Sequence, residues 1–176
     1  MIKTILELVK TVVIAVAIAL LITTFFDPTL VKGYSMYPTI QPNNFLIINK
    51  IPYMNGEPKF GDIIVFKAQV ATLGEQEKDL IKRVIGVAGD QISVTNGLVY
   101  RNGLALKEDY IYIGGTPGEM DKVTVEAGKL FVMGDNRTVS LDSRDERLGQ
   151  IPVKDVLGRA DLRLFPFTEI GSLQSK

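Results

Sequence analysis

The sequence predicts a mainly β protein, in which a single N-terminal membrane-spanning helix is followed by a domain of curled antiparallel sheets. Three observations support this fold. A long run without charged residues lies near the N-terminus, short apolar runs separated by Gly, Pro and Asn fill the rest of the chain, and no helical periodicity longer than two turns follows the first run. Short runs of this kind are typical of strands joined by turns.

The uncharged run extends from Thr11 to Phe26 and contains sixteen residues. As a helix it would be about 24 Å long, and a start at Ile5 would bring it close to the ~30 Å hydrocarbon core of a bilayer. A transmembrane anchor is therefore favoured. The alternative is a cleavable signal peptide, but the run ends in Thr23-Thr24-Phe25-Phe26, where bulky aromatic residues replace the small residues that a cleavage site requires.

The charges on either side of this run predict the topology of the chain. Lys3 and Lys10 precede the run and Asp27 follows it, a distribution that favours a cytoplasmic N-terminus. We therefore expect residues 1–26 to form a cytoplasmic stub and a membrane anchor. Residues 27–176 are expected to form a β-rich domain outside the cytoplasm.

The apolar runs after Asp27 predict eight strands, because most of them are rich in Val, Ile and aromatic residues. The predicted strands are Phe45–Asn49, Ile63–Lys67, Leu80–Ala88, Gln91–Thr95, Leu98–Arg101, Lys122–Val125, Leu130–Met133 and Arg159–Leu164. The dipeptide Asn96-Gly97 between two of them indicates a type I′ hairpin turn. The segment Gly74–Asp79 is expected to be a solvated turn.

The composition limits the chemistry that the chain can perform. Lys plus Arg and Asp plus Glu both number 20, so the formal net charge is zero and no basic surface indicates nucleic acid as a partner. The chain has no cysteine and no histidine, which excludes thiolate nucleophiles, Ser-His-Asp triads and nearly all catalytic zinc sites. No metal and no cofactor are expected. A hydrolase built from this chain would need Lys, Asp, Glu or a terminal amine as its base.

The first candidate site is the segment Gly33–Thr39, which follows the apolar run closely. Ser35 has Gly33 two positions before it and Pro38 three positions after it, so it lies in a constrained turn. Such a turn can expose the hydroxyl and direct backbone N–H groups to one point in space. The alternative is a turn serine that only satisfies the local backbone.

The second candidate site is the pair of cations Lys82 and Arg83 inside an otherwise apolar predicted strand. Neighbours on a strand point to opposite faces, so one of the two should face inward if the sheet is covered. A desolvated lysine can lose its proton whereas an arginine stays charged, which makes Lys82 the better candidate for a base. The alternative is an edge strand from which both side chains reach solvent.

The third candidate site is the polar stretch Met133–Arg144, directly after a predicted strand. Its charged side chains suggest an ion-pair and hydrogen-bond network that holds a loop; these are Asp135, Arg137, Asp142 and Arg144. Either Ser140 or Ser143 could instead orient a neighbouring catalytic group.

Four segments of the chain resemble, in order, the sequence boxes of the bacterial type I signal peptidase family. They are Gly33–Thr39, Gly61–Phe66, Lys82–Asp90 and Gly134–Arg144. Any one of them alone would be a modest signal, but four in order behind an N-terminal span are specific. Only 13 residues, Lys67–Asp79, separate the second box from the third, and Gly33 occupies a position where Gram-negative members carry serine. Both features resemble the compact Gram-positive-like subtype.

This resemblance implies a membrane-bound serine endopeptidase with a serine–lysine dyad, and it assigns roles within that dyad. Ser35 would be the nucleophile and Lys82 the general base, a pairing that needs no histidine. Ser140 would hydrogen-bond the lysine, and the Ser35 amide would supply one oxyanion donor. Glycine at position 33 leaves the second donor unassigned.

The resemblance also implies supporting residues and a substrate. Asp142 and Arg144 would form an ion pair that supports the site, together with Asp135 and Arg137. The turn around the serine is expected to line the substrate groove with Gly33, Tyr34, Met36 and Pro38. The expected partners are membrane lipid and the signal peptides of exported preproteins, which carry small residues before the cut, as in Ala-x-Ala.

Two other functions account for part of this sequence. Self-cleaving repressors also use a serine–lysine pair, but they carry a DNA-binding domain where this chain has an apolar run. A catalytically inactive, membrane-tethered β domain would bind peptides or scaffold an export complex, yet such a protein has no chemical need of Lys82 in addition to Ser35.

Overall fold

The computed structural model describes residues 2–69, 77–112 and 114–173. In these residues one N-terminal α-helix is followed by two antiparallel sheets. The predicted fold, mainly β with a single N-terminal helix, is confirmed.

Helix α1 extends from Ile2 to Phe25. Its segment Lys3–Phe25 has a mean hydropathy of 2.6, and none of the side chains in its most apolar stretch is buried inside the protein. The segment would be about 34 Å long, so it is long and apolar enough to cross a membrane. The helix ends one residue before the predicted boundary, because Phe26 already pairs with Asn49 as the first residue of a strand.

The larger sheet contains eight strands in the order β1-β2-β11-β3-β4-β9-β10, with β12 paired to β11. Its strands are β1 (Phe26–Leu30), β2 (Phe45–Asn49), β3 (Ile63–Gln69), β4 (Glu77–Val87), β9 (Lys129–Met133), β10 (Ile151–Pro152), β11 (Val156–Phe165) and β12 (Gly171–Ser172). The long strand β4 pairs with β3 along one edge and with β9 along the other, so it lies inside the sheet.

The smaller sheet contains four strands in the order β7-β6-β5-β8. They are β5 (Gln91–Thr95), β6 (Leu98–Arg101), β7 (Leu104–Ala105) and β8 (Met120–Thr124). The predicted hairpin turn joins β5 to β6, and Asn96 and Gly97 have φ angles of 52° and 78°. Positive φ at both central positions is what a type I′ turn requires.

The predicted strands differ from the observed ones mainly at their ends. Strands β2, β5 and β6 have the predicted bounds, whereas β3, β4 and β11 are longer than predicted. The solvated turn predicted at Gly74–Asp79 is wrong for Glu77–Asp79, which begin β4 because they pair with Lys67–Gln69 of β3; its residues 74–76 lie outside the described residues. Four short strands were missed, since β1 has no alternating pattern and β7, β10 and β12 contain two residues each.

Three clusters of buried apolar side chains hold the sheets. One packs beneath β2 and β3 and includes Met36 and Ile40 from the turn after β1. The third lies under the small sheet and includes Phe131 and Met133 of β9. Strand β4 contributes to the second and third clusters through Val84 and Ile85. The turn after β1, strand β4 and the loop after β9 are thereby fixed against common cores.

Candidate active site

Ser35 lies in a tight turn between β1 and β2. The turn is closed by backbone hydrogen bonds from Tyr37 to Tyr34 (3.1 Å) and from Ile40 to Met36 (2.9 Å). The carbonyl of Ser35 accepts a hydrogen bond from the Asn136 amide at 2.9 Å. No described residue accepts a hydrogen bond from the Ser35 amide, so this N–H remains available as a donor.

Lys82 of β4 lies opposite this serine. Its Nζ is 2.7 Å from Ser35 Oγ and donates a hydrogen bond to the Ile81 carbonyl at 3.0 Å. Only 3% of Lys82 is exposed. Burial lowers the pKa of Lys82 from its ordinary value of 10.5 to about 8, against the opposing effect of the Asp142 and Asp135 carboxylates. The two residues predicted to react are therefore in direct contact, and the lysine is poised to lose its proton.

Arg83 is also buried, with 3% exposed. One of the two cations was expected to face inward, and both are buried because β4 is covered on both faces. Arg83 forms a bidentate ion pair with Asp135, with N–O distances of 2.9 and 2.7 Å. The Thr39 hydroxyl donates to the same carboxylate at 2.5 Å, and the Tyr110 ring centroid lies 4.0 Å from the guanidinium. The carboxylate of Asp135 therefore compensates the positive charge of Arg83.

The loop after β9 contains the predicted ion pair between Asp142 and Arg144. Arg144 donates from Nε and Nη2 to the two carboxylate oxygens at 2.8 and 2.9 Å. Asp142 also accepts from the Gly134 amide at 3.1 Å, and Arg144 donates to the Arg137 carbonyl at 2.8 Å. The pair therefore closes the loop from residue 134 to residue 144.

The four charged residues of this loop were expected to form one network that holds it, but Asp135 and Arg137 find their ionic partners outside the loop. Asp135 binds Arg83 of β4, as described above, and Arg137 forms a bidentate ion pair with Glu108. Arg137 also donates to the Thr116 hydroxyl and to the Gly134 carbonyl. Side chains that are close in a loop sequence diverge in space, so their partners came from other segments of the chain.

Ser140 does not form the predicted hydrogen bond with Lys82. Its Oγ is buried and has no hydrogen-bond partner among the described residues, while Lys82 is bonded to Ser35 and Ile81. The Ser140 hydroxyl nevertheless lies close to the turn that contains Ser35, since a Cβ on Gly134 would collide with both Ser140 Oγ and the Ser35 carbonyl. In contrast, Ser143 Oγ accepts a hydrogen bond from the Val132 amide at 2.9 Å.

A groove of about 610 Å³ leads to Ser35 and Lys82. The segment after the helix lines one wall and the first half of β4 lines the other; the lining residues are Thr29, Leu30, Val31, Lys32, Gly33, Ser35, Val65, Lys78, Asp79, Leu80, Ile81 and Lys82. A Cβ on Gly33 would meet no atom within 4 Å, so this side of the groove is open next to the nucleophile.

The other predicted groove residues lie elsewhere. Met36 is 0% exposed and packs in the core with Ile40, so its assignment to the groove is wrong. Tyr34 and Pro38 are exposed but do not line the groove. Except for Val65, the wall residues that sequence reasoning missed lie near Ser35 or Lys82 in the chain, and that proximity is the signal that could have identified them.

Comparison with known proteins identifies relatives along most of the chain. The family model described as "Signal peptidase, peptidase S26" matches residues 5–165. The chain is 39% identical to a signal peptidase I of Bacillus licheniformis, over 93% of this chain and 90% of that protein. It is 41% identical to a probable signal peptidase I-2 of a Synechocystis species, over 96% of this chain and 77% of that protein.

A solved structure of a signal peptidase I from Enterococcus faecalis V583 is 27% identical and covers 59% of this chain and 97% of that chain, with a TM-score of 0.47. The family match extends from the apolar helix to the end of β11 and includes every candidate site residue. The chain therefore belongs to the signal peptidase family, peptidase S26, and is a serine-type peptidase of the signal peptidase I class.

Proposed function

We propose that this chain is a membrane-bound endopeptidase that removes signal peptides from exported preproteins with a Ser35–Lys82 dyad. The observation that supports the dyad best is the 2.7 Å contact between Lys82 Nζ and Ser35 Oγ. The buried lysine has a pKa of about 8, so a useful fraction is neutral near physiological pH. A neutral amine within hydrogen-bond distance of a hydroxyl has the geometry of a general base.

In the acylation step, neutral Lys82 takes the proton from Ser35 Oγ as this oxygen attacks the scissile carbonyl carbon. The negative charge that develops on the carbonyl oxygen accepts a hydrogen bond from the Ser35 amide, which no described residue occupies. The Lys82 ammonium then gives its proton to the leaving amine, the C–N bond breaks, and the signal peptide remains as an ester on Ser35.

In the deacylation step, neutral Lys82 takes a proton from a water molecule that attacks the ester. The ammonium returns the proton to Ser35 Oγ as the C–O bond breaks, and the dyad is restored. The ammonium has three N–H donors. Ser35 and Ile81 accept two of them, and we propose that the third turns to the buried Ser140 hydroxyl during turnover, a bond that the structure itself does not contain.

The groove fits an extended peptide with small side chains near the cut. Its walls run side by side along residues 29–33 and 78–82 and meet at the dyad. A peptide that lies between them as an added strand would place alternate side chains against the walls. Val31 and Ile81 are apolar wall residues, against which small apolar side chains such as alanine would pack. This supports a preference for Ala-x-Ala.

The helix supports a membrane anchor with the catalytic domain outside the cytoplasm. Lys3–Phe25 is long enough to cross a bilayer, and the chain passes from Phe25 directly into β1, only a few residues before Gly33 and Ser35. Lys3 and Lys10 lie on the N-terminal side, which favours a cytoplasmic N-terminus. The groove would then begin close to the outer bilayer surface, where a signal peptide leaves the membrane.

Cleavage of a preprotein by the full-length chain in lipid vesicles tests this function. We expect cleavage after the second alanine of an Ala-x-Ala sequence by the wild type and none by Ser35→Ala. Replacement of either alanine by phenylalanine should block the reaction. Equal cleavage of the alanine and phenylalanine substrates would contradict the proposed specificity, and cleavage by Ser35→Ala would contradict the nucleophile.

Protease protection tests the topology. In intact spheroplasts, external protease should degrade the region after Asp27 and leave an epitope at the N-terminus intact. Degradation of the N-terminal epitope, or release of the whole protein by alkaline carbonate, would contradict the proposed anchor.

A further inference from the structure

The segment that returns from the small sheet contacts all three parts of the catalytic site. Residues 106–112 follow β7 and lie outside the four segments that resemble the family boxes. Their contacts begin with Glu108, whose side chain is 5% exposed and forms an ion pair with the fully buried Arg137 side chain. Arg137 donates from Nη1 and Nη2 to the two carboxylate oxygens.

Glu108 joins two routes to the reactive residues. Along the first route, Arg137 donates a hydrogen bond to the Gly134 carbonyl at 3.0 Å. Asn136, two residues after Gly134, donates a hydrogen bond from its amide to the Ser35 carbonyl at 2.9 Å. The Glu108–Arg137 ion pair therefore fixes the short loop that contains Asn136, and through it the position of the Ser35 carbonyl.

Along the second route, the Tyr110 hydroxyl donates to Glu108 at 2.8 Å. The ring of Tyr110 lies 4.0 Å from the Arg83 guanidinium, and Arg83 is the immediate neighbour of Lys82 in β4. Burial and the Glu108 carboxylate raise the pKa of Tyr110, so the phenol keeps its proton and remains a donor. The ring packs against the guanidinium of Arg83, which also forms the ion pair with Asp135.

A third contact comes from the end of the segment. The Tyr112 amide donates to the Asp135 carbonyl at 3.1 Å, and the Tyr112 ring packs edge-to-face on Tyr37 of the serine turn, with centroids 4.8 Å apart. Residues 106–112 thus contact the turn that contains Ser35, strand β4, which contains Lys82, and the loop after β9.

We propose that Glu108 and Tyr110 are positioning residues for signal-peptide cleavage: they hold Ser35 and Lys82 in the reactive geometry through Arg137 and Arg83. Neither side chain touches the groove. Their loss should therefore change the turnover rate and leave substrate binding intact. This proposal rests on the Ser35–Lys82 dyad proposed above.

The test is the cleavage kinetics of the full-length enzyme in lipid vesicles, measured at a temperature at which circular dichroism shows each variant to be folded. Glu108→Gln keeps the shape of the side chain and removes its charge, and Tyr110→Leu removes the ring. We expect kcat to fall by about 10- to 100-fold in each, because small misplacements of reacting groups cost rates of this order. KM should stay within about twofold.

Two matched variants make the result specific. Tyr110→Phe keeps the ring over Arg83 and loses only the hydroxyl, so it should retain more activity than Tyr110→Leu. Asp109→Asn changes the carboxylate that lies between these two residues in the chain. The Asp109 side chain is 76% exposed and pairs with Lys107, which is also exposed. The kcat and KM of this variant should match those of the wild type. If Glu108→Gln does not fold, the comparison of the two Tyr110 variants decides.

Wild-type kcat in folded Glu108→Gln and Tyr110→Leu would overturn the proposal. A rise in KM with unchanged kcat would also overturn it, because the segment would then act on the groove. Loss of activity that follows only the melting temperature, with Tyr110→Phe no better than Tyr110→Leu, would reduce the segment to a structural role. Cleavage by Ser35→Ala would instead contradict the dyad itself, so the two failures are distinguishable.

Discussion

Lys82 and Arg83 are neighbours on β4 and have the same exposure, yet their surroundings differ. Arg83 has a bidentate carboxylate partner and an aromatic ring against its guanidinium. Lys82 has a serine hydroxyl and a backbone carbonyl as its hydrogen-bond partners, and no described carboxylate pairs with it. A buried cation without an adjacent anion tends to lose its charge.

This difference explains how one strand can provide a structural cation and, in the proposed mechanism, a general base. The guanidinium stays charged at any accessible pH and serves as the anchor for Asp135. The amine is left partly uncompensated, so burial makes it a base with a pKa of about 8. The carboxylates that influence Lys82, Asp142 and Asp135, are already engaged by Arg144 and Arg83.

The largest expected effect comes from placing an arginine at position 82, as there already is at position 83. Lys82→Arg should reduce cleavage by at least about 1,000-fold, because a guanidinium does not release its proton to act as a base. Lys82→Met, of similar volume, should be equally inactive and remain folded. The measurement is kcat/KM for a preprotein, with Lys107→Arg, whose side chain is 86% exposed, as the control. Substantial turnover by Lys82→Arg would remove the distinction between the two cations.

A second prediction breaks the pairing of Arg83. Asp135→Asn leaves a buried guanidinium without its anion, which should lower the free energy of unfolding by about 3–5 kcal/mol. Asp145→Asn is the control, because its partner Arg147 is more than half exposed, and it should leave the unfolding curve unchanged. Urea titrations of both variants check this. If the two variants were equally stable, the buried Arg83–Asp135 ion pair would contribute no more to stability than the exposed Asp145–Arg147 pair.

The third prediction concerns pH. Because Lys82 must be neutral, kcat/KM should rise about tenfold per pH unit below about 8 and level off above it. Folding also lowers the pKa of this amine, so the native state releases its proton near pH 8 and the unfolded chain only near 10.5. The unfolded state binds more protons between these values, so the stability from this group increases with pH.

The stability change over this interval should be on the order of 3 kcal/mol. It is measured as the difference in unfolding free energy between wild type and Lys82→Met at pH 7 and at pH 10.5. The variant should gain relative stability at the lower pH. A difference that does not change with pH would show that the buried lysine is not destabilised in its charged form.

The smallest effects separate two serines near Lys82. Ser140→Ala removes a buried hydroxyl with no described partner, so the melting temperature should hardly change, whereas kcat should fall about 10-fold if the hydroxyl receives the ammonium during turnover. Ser143→Ala leaves the buried Val132 amide without its acceptor and should cost about 1–3 kcal/mol of stability. A near-normal kcat for Ser140→Ala would mean that Lys82 needs no third partner.

Local patterns predicted part of the molecule well. The uncharged run indicated helix α1, and Asn96-Gly97 indicated the hairpin, because each depends on residues that are neighbours in the chain. Ser35 and Lys82 were paired through sequence boxes, and the structure places them in contact. The bounds of β3, β4 and β11 were less predictable, since strand ends depend on the length of the partner strand.

Side-chain partners between distant segments were not predictable. Arg137 was expected to belong to an ion-pair network within its own loop, but it pairs with Glu108, 29 positions away. Met36 was assigned to the groove but is buried in the core. Sequence patterns give the direction of a side chain only within a regular element, and neither residue lies in a helix or strand.

By itself, the sequence determined the apolar helix, the strand-rich character of the rest, the absence of histidine and cysteine chemistry, and the identity of the serine and lysine. The tertiary structure decided which of the two buried cations has a carboxylate partner and which has none among the described residues. That choice depends on where the carboxylate of Asp135 lies relative to Arg83 and Lys82, and the position of that carboxylate follows from the pairing of β4 with β9. The electrostatic free energy of a buried charge depends on distances of a few ångströms, and only the folded chain sets those distances.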